Sequence, residues 1–429
     1  MIESQARVLR RNGHQVVIAS AGPAKNWGDS SLILPDLDYQ SEGAINIAPL
    51  LAVQADLWII HNPTLGLNIA YPDMIEQAAQ AGVRMLLQIH DFVEDGRPAN
   101  YQLLANREKI YPDAPQIHYA TINKRDQTIL QRAGVPEERC HYLPNAVNPP
   151  TLQGTTPSET LLFYPVRGIR RKNLGELCLL AAHAPAGTRF AVALRSGSEE
   201  PDFLHDDWVQ FAQSLGLPIS FDVVGQDPSS FRDWLEQSTH LVTTSIHEGF
   251  GLTFLDPAFL GKPLIGRDLP EITRDFTKYG TLYQSIPVPL SDLPGLAEIY
   301  REQFSTTMAA YGKVVTDHEI TAGWKNYSSE GVVDFGNLPE EFQRRIIETT
   351  KLPELASWLA QALKQPATQI DTSPWSLETY AKNLQEIMTS TCAPGSVDWI
   401  SPTKILDQFL LPEKFHFLRS RLTATTSEL

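Results

Sequence analysis

The chain has 429 residues, 42% of them hydrophobic, and its 50 acidic against 35 basic side chains give a net charge of −15. That length accommodates two domains with full cores, and the acidity excludes non-specific nucleic-acid binding and strong attraction to anionic membranes, leaving open only peripheral membrane contact through a local patch. No apolar run reaches the roughly 18 residues of a spanning helix, charged Glu3, Arg7, Arg10 and Arg11 argue against a secretory signal, and Cys140, Cys178 and Cys392 lack CxxC spacing, so reduced thiols and a cytoplasmic location are expected.

In chain order, a helix is predicted from Ile2 to Asn12, closed by Gly13. Val16–Ser20, Leu57–Ile60, Arg84–Ile89 and Ile117–Thr121 then read as strands of a first parallel sheet, with a helix over Lys124–Ala133 stopped by Gly134. Pro149–Pro157 reads as an interdomain linker. A second series follows: Thr160–Tyr164, Phe190–Leu194, Ile219–Val224, Leu241–Thr244 and Leu264–Ile265. Near-continuous apolar strands separated by helices imply doubly wound α/β sheets. Beyond about residue 290 the pattern turns helical, with long segments over Pro353–Leu363, Ser376–Met388 and Thr403–Arg421.

Two loops carry chemistry. The strand ending at Tyr164 runs into Pro165-Val-Arg167-Gly-Ile-Arg-Arg-Lys172-Asn173, a cationic loop at a carboxyl end, where open α/β sheets bind ligands. Taken alone it is also compatible with a solvated basic loop. The second is Thr244-Ser-Ile-His-Glu248-Gly-Phe-Gly-Leu-Thr-Phe-Leu-Asp256, a Gly-rich turn opening a helix that ends at Gly261. Its glycines let a ligand approach the backbone, and the helix start offers free N–H groups to an anion or to hydroxyls. Glu248 and Asp256 bracket this turn.

Glu248 through Asp256 resembles the E-x7-E signature of retaining GT-B glycosyltransferases of the family 4 type, with Asp in place of the second Glu. Arg167…Lys172-Asn173 is similar to that family's diphosphate-holding loop, and Tyr142-Leu-Pro-Asn145 to its interdomain link. Arg11-Asn-Gly13-His14, His90-Asp91 and Asp268-Leu-Pro-Glu271 agree in order. The likeness spans roughly residues 5 to 285 and, more weakly, the helix after Trp375.

The resemblance implies two Rossmann-like domains facing a cleft: 1–150 on the acceptor side, 158–375 binding the nucleotide sugar, and C-terminal helices over 376–429 crossing back. It also implies a strand and Gly-rich loop ahead of residue 1, so a shortened start is expected, with real loss of the loop as the alternative, and the activity of this exact chain is in question. Arg167 and Lys172 would hold the donor diphosphate, with Arg170 and Arg171 supporting. Glu248 and the amides of Phe250, Gly251 and Leu252 would hold the donor sugar, Thr253 the phosphates and Asp256 the ribose. His90 would face the sugar near the scissile bond. Asp91, Arg97 and Tyr101 would lie on the acceptor side, and His61-Asn62 is a similar strand-end pair, structural or lining the cleft.

The expected reaction is glycosyl transfer, with retention, from a nucleotide-diphosphate sugar to an acceptor hydroxyl, without a metal or other cofactor. A GT-B-fold sugar-nucleotide epimerase and a non-catalytic nucleotide-sugar-binding protein are the alternatives. No G-x-x-x-x-G-K-[ST], H-E-x-x-H or G-x-S-x-G motif occurs, and no cluster with metal-ligand spacing stands out.

Overall fold

The computed structural model describes residues 2–23, 31–41, 43–154, 157, 159–195, 203–225, 228–276, 279–390 and 392–419. Two parallel sheets organise it. The first has four strands in the order Trp58–His61, Met85–Ile89, Ile117–Thr121 and Cys140–Tyr142. Its inner strands Met85–Ile89 and Ile117–Thr121 are buried along their whole length, which is why they read as unbroken apolar runs. Helices Tyr71–Gln80 and Lys124–Ala133 return the chain between strands. The latter starts at Asn123, whose side chain accepts from the Asp126 amide at 2.7 Å.

The second sheet has six strands in the order Ile219–Ser220, Thr188–Leu194, Thr160–Arg167, His240–Thr243, Leu264–Arg267 and Thr281–Tyr283. The chain winds outward from Thr160–Arg167, then returns to lay His240–Thr243 on its other side. The strand order therefore reverses between these two neighbours. At such a switch point the loops after the strands diverge and open a crevice. Pro165 interrupts the central strand and the register slips between Tyr164 and Arg167.

Three expected elements differ. Ile18–Ser20 does not join the first sheet but pairs with Ser31–Ile33 in a small parallel ribbon. Val17 and Ile33 are exposed there, so little apolar burial draws the ribbon inward. Among the described residues no strand pairs with the outer edge of Trp58–His61. The strand expected over Ile219–Val224 stops at Ser220, because Asp222 takes a left-handed φ of 56°. The helix expected over Thr403–Arg421 is Pro402–Phe409, since Pro412 holds Leu411 extended; residues beyond 419 lie outside the described part.

The C-terminal segments touch both sheets. On helix Leu377–Ser390, Tyr380, Leu384 and Ile387 pack with Leu9, Leu86, Ala120 and Leu143. Ile405 and Phe409 join the first sheet's core, whereas Phe415 and Phe417 stack around Tyr300 and Phe304 in the second. No helix among the described residues is long and apolar enough to cross a membrane.

Candidate active site

The two loops that diverge at the switch point are those the sequence singled out. Arg167 ends its strand exposed, and its side chain has no partner among the described residues. A short 3₁₀ turn over Arg170–Lys172 then aims three cations in different directions. Arg170 pairs with Glu340 at 2.6 and 3.1 Å. Arg171 is half-exposed and lies 3.8 Å from Glu248. Lys172 is buried and donates directly to Oε1 of Glu248.

Glu248 is the hub of the facing loop. The Thr253 hydroxyl donates to its Oε1 at 3.1 Å. Burial alone would raise its pKa, but Lys172 and Arg171 together bring it below the usual carboxylate range. Lys172 moves down as well, because desolvation outweighs its partner. Thus residues expected to grip different parts of a donor also neutralise each other across the crevice floor.

Gly251 supplies the left-handed N-cap of helix Leu252–Leu260 with a φ of 93°. A β-carbon there would come within 2.8 Å of Ile272 Cγ2 and 2.9 Å of Phe276. No side chain caps this helix, and the amides of Leu252 and Thr253 find no acceptor among the described residues. Two N–H groups and the positive end of the helix therefore stand open. Phe250 is buried beneath them, edge-on to Phe276, while Leu252 is 45% exposed. One turn on, Asp256 is half-buried with no ion-pair partner among the described residues, and burial pushes its carboxyl up to about 6.

The first sheet reaches the same place. His90 and Asp91 follow strand Met85–Ile89, and both backbone amides donate to Asn62 Oδ1, at 2.7 and 3.2 Å. A β-carbon on Gly249 would stand 3.6 Å from the His90 carbonyl oxygen and 3.7 Å from Asp91 Oδ1. That is ordinary van der Waals distance, so the turn at Gly249 packs directly against the end of the first sheet. Asn123 closes the contact, donating to the Gly249 carbonyl at 2.8 Å. The structure thus brings together His90, Asp91, Lys172, Glu248, Thr253 and the helix start at Gly251. Arg97 lies on the rim, 3.7 Å from Asp91. Tyr101 turns away to pack its ring on Tyr311 at 5.3 Å.

Asp95 carries no local sign of a role in the sequence. It is buried, and Arg125, His247 and Arg419 converge on it from three other segments. Burial alone would raise its pKa, but these partners hold it well below the carboxylate range. His247 comes from the Glu248 loop, so Asp95 ties that loop to the first sheet. Asn62 takes a left-handed φ of 47° right after a strand, the local sign of a special turn. Among the described residues no three metal-ligating side chains come together.

Two parallel α/β sheets with a crevice between their carboxyl ends define the GT-B architecture. HepE from Anabaena, solved with UDP-glucose, is similar with a TM-score of 0.51 at 12% identity, covering 90% of this chain and 95% of that one. A glycosyltransferase from Rickettsia africae is similar with a TM-score of 0.50 at 13% identity, covering 91% and 93%. In sequence, a mannosylglucosyl-3-phosphoglycerate synthase of Petrotoga mobilis is 27% identical over 324 residues, 69% of this chain and 63% of that enzyme. The chain therefore spans under two thirds of that relative's length. No protein-family profile matches the chain.

Proposed function

We propose that the protein is a glycosyltransferase of the family 4 type that moves a sugar from a nucleotide-diphosphate sugar to an acceptor hydroxyl with retention at the anomeric carbon. The observation that carries this reading is the crevice at the switch point. Arg167, Arg171 and Lys172 line one loop, and Glu248 and the open amides of Leu252 and Thr253 line the other. As the nucleoside diphosphate departs its negative charge grows, and fixed cations beside it stabilise the transition state more than the ground state. In this reading these side chains do the work without a metal. Lys172 swings from Glu248 to the diphosphate, Glu248 takes up donor-sugar hydroxyls, and Asp256 accepts from the ribose. The departing phosphate oxygen takes the acceptor proton on the same face.

The synthase from Petrotoga mobilis makes an acidic acceptor carrying a phosphoglycerate group the first candidate, with Arg97 and Asp91 on the rim of its entry side. Nucleotide sugars raise the melting temperature by mass action if this reading holds. A screen of UDP-, GDP- and ADP-sugars, followed by assays of transfer to phosphoglycerate-linked sugars with the product anomer read by NMR, tests it. An inverted product contradicts the retaining mechanism, and the absence of any stabilising nucleotide sugar contradicts the donor assignment.

A further inference from the structure

His90 ends a chain of hydrogen bonds that runs away from the crevice into the first sheet. Its Nε2 lies 2.9 Å from Nδ1 of His61, with the two rings stacked at 5.2 Å between centroids and 22° between planes. His61 Nε2 in turn lies 2.8 Å from Oε1 of Gln5. Gln5 Nε2 donates to Gln88 Oε1 at 3.0 Å and to the Tyr380 hydroxyl at 2.8 Å. Gln5, Gln88 and Tyr380 are all buried. Four separate segments meet in this chain: the first helix, two strand ends and the C-terminal helix Leu377–Ser390.

The chemistry of the groups gives the chain a direction. An amide oxygen only accepts, so the hydrogen between His61 and Gln5 belongs to His61 Nε2. Burial holds both rings neutral, lowering His61 to about 3, with further repulsion from His90, and His90 to about 4. A neutral His61 has no second hydrogen, so its Nδ1 accepts and His90 Nε2 donates. His90 Nδ1 is then bare. It has no partner among the described residues, and it is not among the atoms sealed from solvent without one. It stands on the residue whose carbonyl faces Gly249.

We propose that His61, held by Gln5, is a positioning residue that fixes His90 in its Nε2–H tautomer and leaves Nδ1 as an acceptor for a substrate hydroxyl. The assignment of the hydroxyl to a substrate rests on the glycosyltransferase reading; the tautomer does not. So weak a base orients the hydroxyl without taking its proton, in keeping with proton transfer to the departing phosphate.

The test uses the full chain labelled with ¹⁵N-histidine and long-range ¹H–¹⁵N spectra at neutral pH, assigned with His61→Phe and His90→Gln. The expected wild-type spectrum shows His90 with hydrogen on Nε2 and none on Nδ1. His61→Phe keeps a flat ring in the stack but removes the acceptor. It should mix the two His90 tautomers and lower kcat about tenfold, with donor KM within about threefold, because orientation rather than binding is lost. Hydrogen on His90 Nδ1 in the wild type, which is what turning both glutamine amides over would produce, overturns the proposal. So does a His61→Phe enzyme with unchanged tautomer and kcat. Failure of every nucleotide sugar to react would remove the glycosyltransferase reading yet leave the wild-type spectrum to decide the tautomer.

Discussion

The two lips of the crevice are built from opposite materials. The lip on the second sheet is ionic: Lys172 and Arg171 face Glu248, Arg167 stands beside them with no partner among the described residues, and a helix start adds its positive end. The lip on the first sheet is neutral at its centre, with the Asp91–Arg97 pair at its rim: His90 and His61 are uncharged, and one amide oxygen of Asn62 takes both backbone N–H groups of the turn. Each suits a different task. A leaving diphosphate gathers charge during the reaction, and cations already placed beside it by donor binding meet that change. Sugar hydroxyls keep no charge, so sorting them calls for fixed donors and acceptors. A single lip of either kind would bind part of a nucleotide sugar. On the proposed reading the pair, held together through Asn123 and Asp95, binds the whole.

Within the ionic lip, Lys172 and Arg167 should separate sharply. Lys172→Ala removes the proposed diphosphate contact and leaves the buried Glu248 carboxylate only the half-exposed Arg171 for a countercharge, so turnover should fall about 100-fold or more and stability by about 3–5 kcal/mol. Arg167→Ala should cost turnover at least about tenfold while leaving the urea midpoint unchanged, because the side chain is exposed and unpartnered. Equal loss of stability in both variants would break the distinction between a buried pair and a free cation.

A further expected effect, read in pH rather than in turnover, concerns Glu94, buried behind the first-sheet lip. Burial pushes its carboxyl up to about 8, against 4.5 unperturbed, despite hydrogen bonds from Tyr111. A raised carboxyl stabilises the fold below its unfolded pKa, and that contribution is lost as pH climbs through the folded value. Relative to Glu94→Gln, which keeps an acceptor for Tyr111, the wild type should therefore lose melting temperature between about pH 4.5 and 8. A gap independent of pH would mean that Glu94 is ionised in the fold.

Much of this was legible in the sequence, for physical reasons. Met85–Ile89 and Ile117–Thr121 are buried on both faces, so their apolar runs announced a parallel sheet. Gly251 and Gly261 needed left-handed backbone and marked both ends of one helix. The rest was hidden where a contact joins distant segments or where one residue vetoes a periodic pattern. Nothing in the sequence couples Lys172 to Glu248, which meet because neighbouring strands of the second sheet place their loops side by side, or Asp95 to His247, which meet only once the two sheets face each other. Asp222 ended an apolar run that read as a longer strand, and Pro412 ended an apparent helix. His61 read as a strand-end residue of structural or cleft-lining kind, because its partner Gln5 sits on the first helix, in a different element.

The division of labour between charge and hydroxyl contacts can be measured by calorimetry, titrating a nucleoside diphosphate and its sugar-bearing form into wild type, Arg167→Ala and Glu248→Gln. Loss of Arg167 should weaken both ligands by a similar factor, whereas Glu248→Gln should weaken only the sugar-bearing one. If Glu248→Gln weakened both equally, Glu248 would not face a sugar and the account would be contradicted.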